Sequence, residues 1–132
     1  MEDWDLLSGM IENDPFIKFV GMKVKIVSPG VAEATLDLKE NHMRTGDFMN
    51  GGAIATLLDT AGGTAVFSLC KTNQVTSNLN ISYLNPVKKG LVRAVGEVIK
   101  EGKRIVYVKI SLFDAEGKLC TYATGTWYVY RE

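Results

Sequence analysis

The stretch from Gly51 to Cys70 constrains this chain most. It is apolar or small almost throughout, and Asp59 is the only charged residue between Asp47 and Lys71. A helix apolar all round is a buried helix. An ionised carboxylate inside one is costly unless something compensates it, so Asp59 needs a reason to be there. The run has the length of a membrane span. It also carries Asp59, three threonines and four glycines, so it reads as the core helix of a soluble domain, with no membrane partner.

Helical spacing puts Gly52, Ala55, Gly62 and Gly63 on the face of Asp59. That stripe is almost free of side chains and predicts close approach by a ligand or a second protein chain. A bulkier stripe, Ile54, Leu57, Leu58, Ala61 and Ala65, reads as core. Each glycine inside a helix costs roughly 1 kcal/mol against alanine, so two in a row point to close approach. Asn50 is a good N-cap residue. Gly51 and Gly52 then leave the first N–H groups barely shielded at the positive end of the helix dipole, a natural anion site. On the residues alone two readings stand. One is an oxyanion-binding end with a lone carboxylate two turns on. The other is a buried helix with a glycine-rich cap and an Asp bonded to backbone.

A chain of 132 residues makes one domain, 1–132, with a real core. Its 15 basic and 15 acidic residues cancel, which argues against a general nucleic-acid partner. Cys70 and Cys120 form no metal-type or redox-type pair and are expected as free thiols in a cytoplasmic protein. One histidine and scattered thiols make no metal site. The absence of Gly-x-Ser-x-Gly removes the serine-hydrolase elbow. His42, the only histidine, reads as a loop or capping residue rather than a catalytic base.

The flanks fall into place around the helix. Residues 3–13 predict an amphipathic helix with Trp4, Leu7 and Ile11 on one face. Asp14-Pro15 starts a second helix that stops at Gly21. Met22 to Ile26 and Ala32 to Leu38 alternate as a hairpin around Ser28-Pro29-Gly30, and 40–49 reads as a loop. Period two returns over Leu79–Tyr83, Leu91–Ile99, Ile105–Phe113 and Leu119–Tyr130. An α+β arrangement follows: an antiparallel sheet of five to six strands curled around one long central helix.

The sequence resembles the hotdog-fold acyl-CoA thioesterases, in particular the phenylacetate-pathway (PaaI-like) branch. The resemblance runs from about Phe16 to Tyr128. Its motif stands here as His42-Met-Arg-Thr-Gly46, then Asn50-Gly51-Gly52-Ala-Ile-Ala-Thr-Leu-Leu-Asp59. Val75-Thr-Ser-Asn-Leu-Asn-Ile-Ser-Tyr-Leu-Asn-Pro86 matches the strand after the helix. The resemblance implies that the Gly51 N–H binds the thioester oxygen and that Asp59 of a neighbouring subunit activates water or attacks directly. Thr76 would help place the water. It also implies a homodimer or a tetramer of two dimers, with coenzyme A entering only as part of the substrate and no separate cofactor. His42, Arg44, Asn50 and Gly52 would border the substrate, and Lys103 and Arg104 are the candidates for its phosphates. The chain departs from the pattern twice, with Asn50 where the family often has His and Arg44 where it has Asn. A non-catalytic acyl-CoA binder and a hotdog dehydratase are the competing readings on the same fold.

Overall fold

The computed structural model describes residues 3–131. Two short helices open the chain, α1 at Trp4–Glu12 and α2 at Pro15–Val20. The Asp3 carboxylate caps α1 through the Leu6 N–H, and Asp14 caps α2 through that of Phe16. Gly21 ends α2 at a φ of 89°, a left-handed position that favours glycine. Strands β1 (Lys23–Ser28) and β2 (Val31–Asp37) form the expected hairpin. The segment 40–49, expected as plain loop, contains a 3₁₀ turn at Glu40–His42 and a two-residue ladder of β3 (Met43–Arg44) with β4 (Phe48–Met49). The helix α3 then runs over Gly51–Cys70. Four long strands follow: β5 (Gln74–Tyr83), β6 (Leu91–Glu101), β7 (Ile105–Phe113) and β8 (Leu119–Val129).

Six strands make one sheet in the order β1-β2-β6-β7-β8-β5, antiparallel at every pair. The sheet wraps α3. Leu57, Leu58, Ala61 and Val66 of the helix are buried against Val92, Ala94, Val108, Ile110 and Trp127 of the sheet. Each fully buried leucine contributes roughly 1.5–3 kcal/mol. Three glycines let the layers close. A Cβ on Gly96 would lie 2.6 Å from the Ala61 carbonyl oxygen, so β6 touches the helix backbone itself. A Cβ on Gly62 would lie 2.4 Å, and one on Gly125 2.9 Å, from the Trp127 ring.

The two edges of the sheet differ. Along β1, helix α1 supplies acceptors for the strand's outward N–H groups: Glu12 Oε2 accepts from Val24 at 2.7 Å and Ser8 Oγ from Ile26 at 3.0 Å. Among the described residues the opposite edge strand, β5, pairs only with β8.

Candidate active site

Although α3 is apolar in sequence, the sheet buries one side of it. Gly52, Ala55, Thr56, Asp59, Thr60, Gly63 and Phe67 stay partly or fully exposed on the other. Asp59 is half-buried and sits on that open side. Gly62 is the exception to the expected bare stripe: it is buried, because the Trp127 indole packs against it.

The structure brings Asp59 and Thr76 together. Thr76 Oγ1–H donates to Asp59 Oδ1 at 2.5 Å. Thr76 is paired with Trp127 of β8, next to a bulge at Ser77. Such a bulge re-aims neighbouring side chains. Both residues line a groove of about 960 Å³ between the N-terminal helices and the C-terminal half of α3. Phe16 and Ile17 of α2, Met10 and Ile11 of α1, and Phe67 give this groove an apolar wall.

Gly51 lies at the N-terminal end of α3. It is eight residues before Asp59, about 12 Å along a helix rising 1.5 Å per residue. Asn50 Oδ1 accepts from the N–H groups of Gly52 (2.7 Å) and Ala53 (3.1 Å). The Asn50 C=O takes the Ile54 N–H. Among the described residues the Gly51 N–H donates to no acceptor. The cap thus spares the one donor at which an oxyanion was expected. The Tyr83 hydroxyl donates to the Gly51 carbonyl at 3.0 Å, so the end of β5 braces the start of α3.

The remaining expected residues separate. His42 is buried, and both its ring nitrogens are taken: Nδ1 accepts from the Lys39 N–H at 2.9 Å, so Nε2 carries the proton and donates to the Val20 carbonyl at 2.8 Å. Its own carbonyl accepts from the Asn50 N–H at 2.9 Å. The ring therefore fixes the approach to α3, with both its nitrogens engaged within the chain. Arg44 stands on the β3–β4 hairpin at the Gly51 end, with its guanidinium 5.8 Å from the Phe48 ring centre. Lys103 and Arg104 occupy the β6–β7 turn, beside Ile105, which pairs with Tyr128. Arg104 Nη1 donates to the Arg131 carbonyl at 3.3 Å. That is the end of the sheet where α3 finishes, so one chain does not bring this pair to its own Gly51.

Sequence reasoning missed the groove wall on α1 and α2, the Tyr83 brace and Gln74. Gln74 Nε2 donates to the Gly63 carbonyl at 3.0 Å beside Asp59. Tyr83 lies inside the matched strand motif, where its aromatic end was the available signal. The others depend on packing between distant segments.

A six-stranded antiparallel sheet of this order wrapped on one long central helix defines the hotdog fold. A sequence profile of the thioesterase superfamily matches residues 46–121, and the chain belongs to that superfamily. It is 38% identical over 132 residues to the protein named "Putative esterase Ta0293" of Thermoplasma acidophilum, covering 99% of this chain and 100% of that one. The PaaI protein from the phenylacetic acid degradation operon of Escherichia coli superposes with a TM-score of 0.88 at 24% identity, over 97% of this chain and 93% of that one. A hypothetical thioesterase of Streptococcus pneumoniae TIGR4, solved with coenzyme A, superposes with a TM-score of 0.83 at 22% identity, over 94% and 97%.

Proposed function

We propose that the protein hydrolyses acyl-CoA thioesters at a site shared between two subunits. The observation that carries this reading is the pair of half-sites on α3: a carboxylate held by Thr76, and an unshared N–H at Gly51 about 12 Å away. One thioester is too small to touch both ends of one helix. An antiparallel pairing of β5 with the β5 of a second copy would resolve this. Its two-fold axis would lie near Leu79 and Asn80, midway between Thr76 and Tyr83. Thr76 and Asp59 of one copy would then stand beside Tyr83 and Gly51 of the other. The open β5 edge supports this, since an unpaired strand edge is a template for another strand. Pairing of two such dimers gives the tetramer, in keeping with the prevalence of closed symmetric assemblies.

In this mechanism Asp59 takes a proton from water while the water oxygen bonds to the thioester carbon. The carbonyl oxygen becomes an alkoxide facing the Gly51 N–H, an arrangement that favours the transition state over the ground state. Collapse re-forms the carbonyl, breaks the C–S bond and releases the coenzyme A thiolate, which regains its proton from Asp59 or solvent. A thiolate leaves without a strong general acid, so an oxyanion donor and a carboxylate suffice. Direct attack by Asp59 through an anhydride uses the same residues, and single turnover in ¹⁸O water separates the two by labelling the enzyme carboxylate. Arg44 and Gly52, at the Gly51 end, would border the substrate. The coenzyme A in the Streptococcus pneumoniae relative supports the choice of thioester.

A hydrolysis screen over short, medium, long and aryl acyl-CoAs tests the reading, with Asp59→Asn beside the native chain. Loss of the general base lowers turnover by roughly 10²–10⁴. Asn keeps an acceptor for Thr76, so thermal stability stays level or rises. Turnover that survives with a lowered melting temperature would make Asp59 a structural residue. Coenzyme A ester binding without hydrolysis in the native protein would make it a binder.

A further inference from the structure

The proposed oxyanion donor sits in the part of α3 with the least intrinsic order. Gly51 and Gly52 open the helix, and glycine loses more conformational freedom on folding than any other residue. A hydrogen-bond donor stabilises developing charge well only if it is already aimed when the charge appears. The first turn therefore has to be held by something other than its own side chains.

Ahead of the Gly51 N–H the chain is anchored, because the Asn50 N–H donates to the His42 carbonyl at 2.9 Å. Behind it, most bonds come from within the turn. Asn50 Oδ1 takes the N–H groups of Gly52 and Ala53, and Thr56 Oγ1 donates to the Gly52 carbonyl at 3.0 Å. These ties move with the helix end. Among the described residues one tie to the Gly51 carbonyl comes from the sheet: the Tyr83 hydroxyl, at 3.0 Å. The same ring lies over the Gly51 Cα, where a Cβ would stand 3.7 Å from Cε1 and 3.8 Å from the hydroxyl oxygen. Tyr83 is itself fixed in the ladder opposite Thr121 of β8, which is fully buried. Only the two dihedrals of Gly51 are soft between the peptide that carries the free N–H and the peptide that Tyr83 holds. Core packing does not explain this contact, since Tyr83 is 54% exposed and water could serve its hydroxyl.

We propose that Tyr83 is a positioning residue for the oxyanion site, holding the Gly51–Gly52 peptide so that the Gly51 N–H stays aimed at the thioester oxygen. The inference rests on the hydrolase reading with Gly51 as donor. Tyr83→Phe keeps the ring and removes the bond. It should lower kcat roughly tenfold, the scale of one hydrogen bond, and leave KM near the native value, because aim matters most in the transition state. Gly51→Pro deletes the donor that Tyr83 aims, so adding Tyr83→Phe to it should cost nothing more. A merely structural role would lower the melting temperature and leave kcat per folded molecule standing, or would cost the same factor on both backgrounds; either result overturns the inference. Full activity in Gly51→Pro alone would remove the donor, and the inference with it, while leaving hydrolysis intact. One further measurement needs neither turnover nor the proline variant. With ¹⁵N-glycine labelling, the assigned Gly51 amide signal should shift or broaden in Tyr83→Phe, while those of Gly9 in α1 and Gly30 between β1 and β2 stay in place. If the native protein cleaves no acyl-CoA, the hydrolase reading fails separately. An unchanged Gly51 signal would then show that the hydroxyl holds nothing, and overturn the inference by itself.

Discussion

A carboxylate that accepts a hydroxyl at 2.5 Å is held in one orientation, and its second oxygen is left to face the groove. In the proposed mechanism the single bond from Thr76 would set where Asp59 takes a proton. Thr76→Val keeps the shape and removes the donor. Hydrogen bonds to charged groups contribute about 1.5–3 kcal/mol, so the rate should fall by roughly ten- to a hundredfold. Thr76→Ser should recover most of it. Comparing kcat/KM for the three proteins checks this, and full activity in Val with loss in Ser would show that the methyl, not the hydroxyl, matters. Gly51 admits a similarly narrow test. It is the first helical residue, where proline is favoured, and Asn50 at φ −60° and ψ 134° already has the extended form required before proline. A Cβ there meets only Tyr83, at 3.7 Å. Gly51→Pro can thus delete one N–H with the helix intact, and such a loss typically costs on the order of 10²–10³ in rate.

Among the elements, α3 and the strands around it were the part most legible in sequence. Period-two alternation marks β5 to β8, and the caps Asn50, Asp14 and Gly21 act where their chemistry places them. The Asp59–Thr76 pair was legible only through the motif, since no local periodicity relates a helix residue to a strand residue 17 positions later. The glycines divided for the same reason. Helical spacing gives Gly62 and Gly63 one face, yet Trp127, far along the chain, fills the space over Gly62 and leaves Gly63 at the groove. The loop expected over 40–49 folds further because His42 ties Lys39 and Val20 together, contacts that carry no periodic signature. These packing contacts make a testable contrast. Gly96→Ala drives a methyl against the Ala61 backbone, which has nowhere to move, and overpacking costs typically 1–3 kcal/mol. Gly62→Ala meets the Trp127 ring and recovers about 1 kcal/mol of helix propensity. Thermal unfolding should rank Gly96→Ala below Gly62→Ala, and Gly62→Ala below the native chain. The reverse order would mean that β6 and α3 can separate more easily than the indole can shift.

At the scale of the whole molecule, the proposed shared site predicts complementation. Asp59→Asn and Gly51→Pro should each inactivate the proposed dimer alone. Unfolded together and refolded in equal amounts, they form mixed dimers in which one site carries both lesions and the other carries none. With random pairing about a quarter of native activity returns. No recovery, despite mixed dimers seen by mass spectrometry, would place both groups in one subunit's site. The same assembly depends on the helix that closes the far edge of the sheet. Ser8 and Glu12 occupy the outward N–H groups of β1, so each protomer has a single strand edge to offer, and pairing through it leaves none free. On the proposed β5 pairing the protomer would be monovalent, and growth through sheet edges would stop at two. Ser8→Ala combined with Glu12→Ala would make it bivalent, with β1 available to a third chain and no symmetry to close the series. Light scattering should then show mass rising with concentration and time instead of settling. A plateau at the native mass would mean that the body of α1, rather than its two acceptors, keeps the molecule from polymerising.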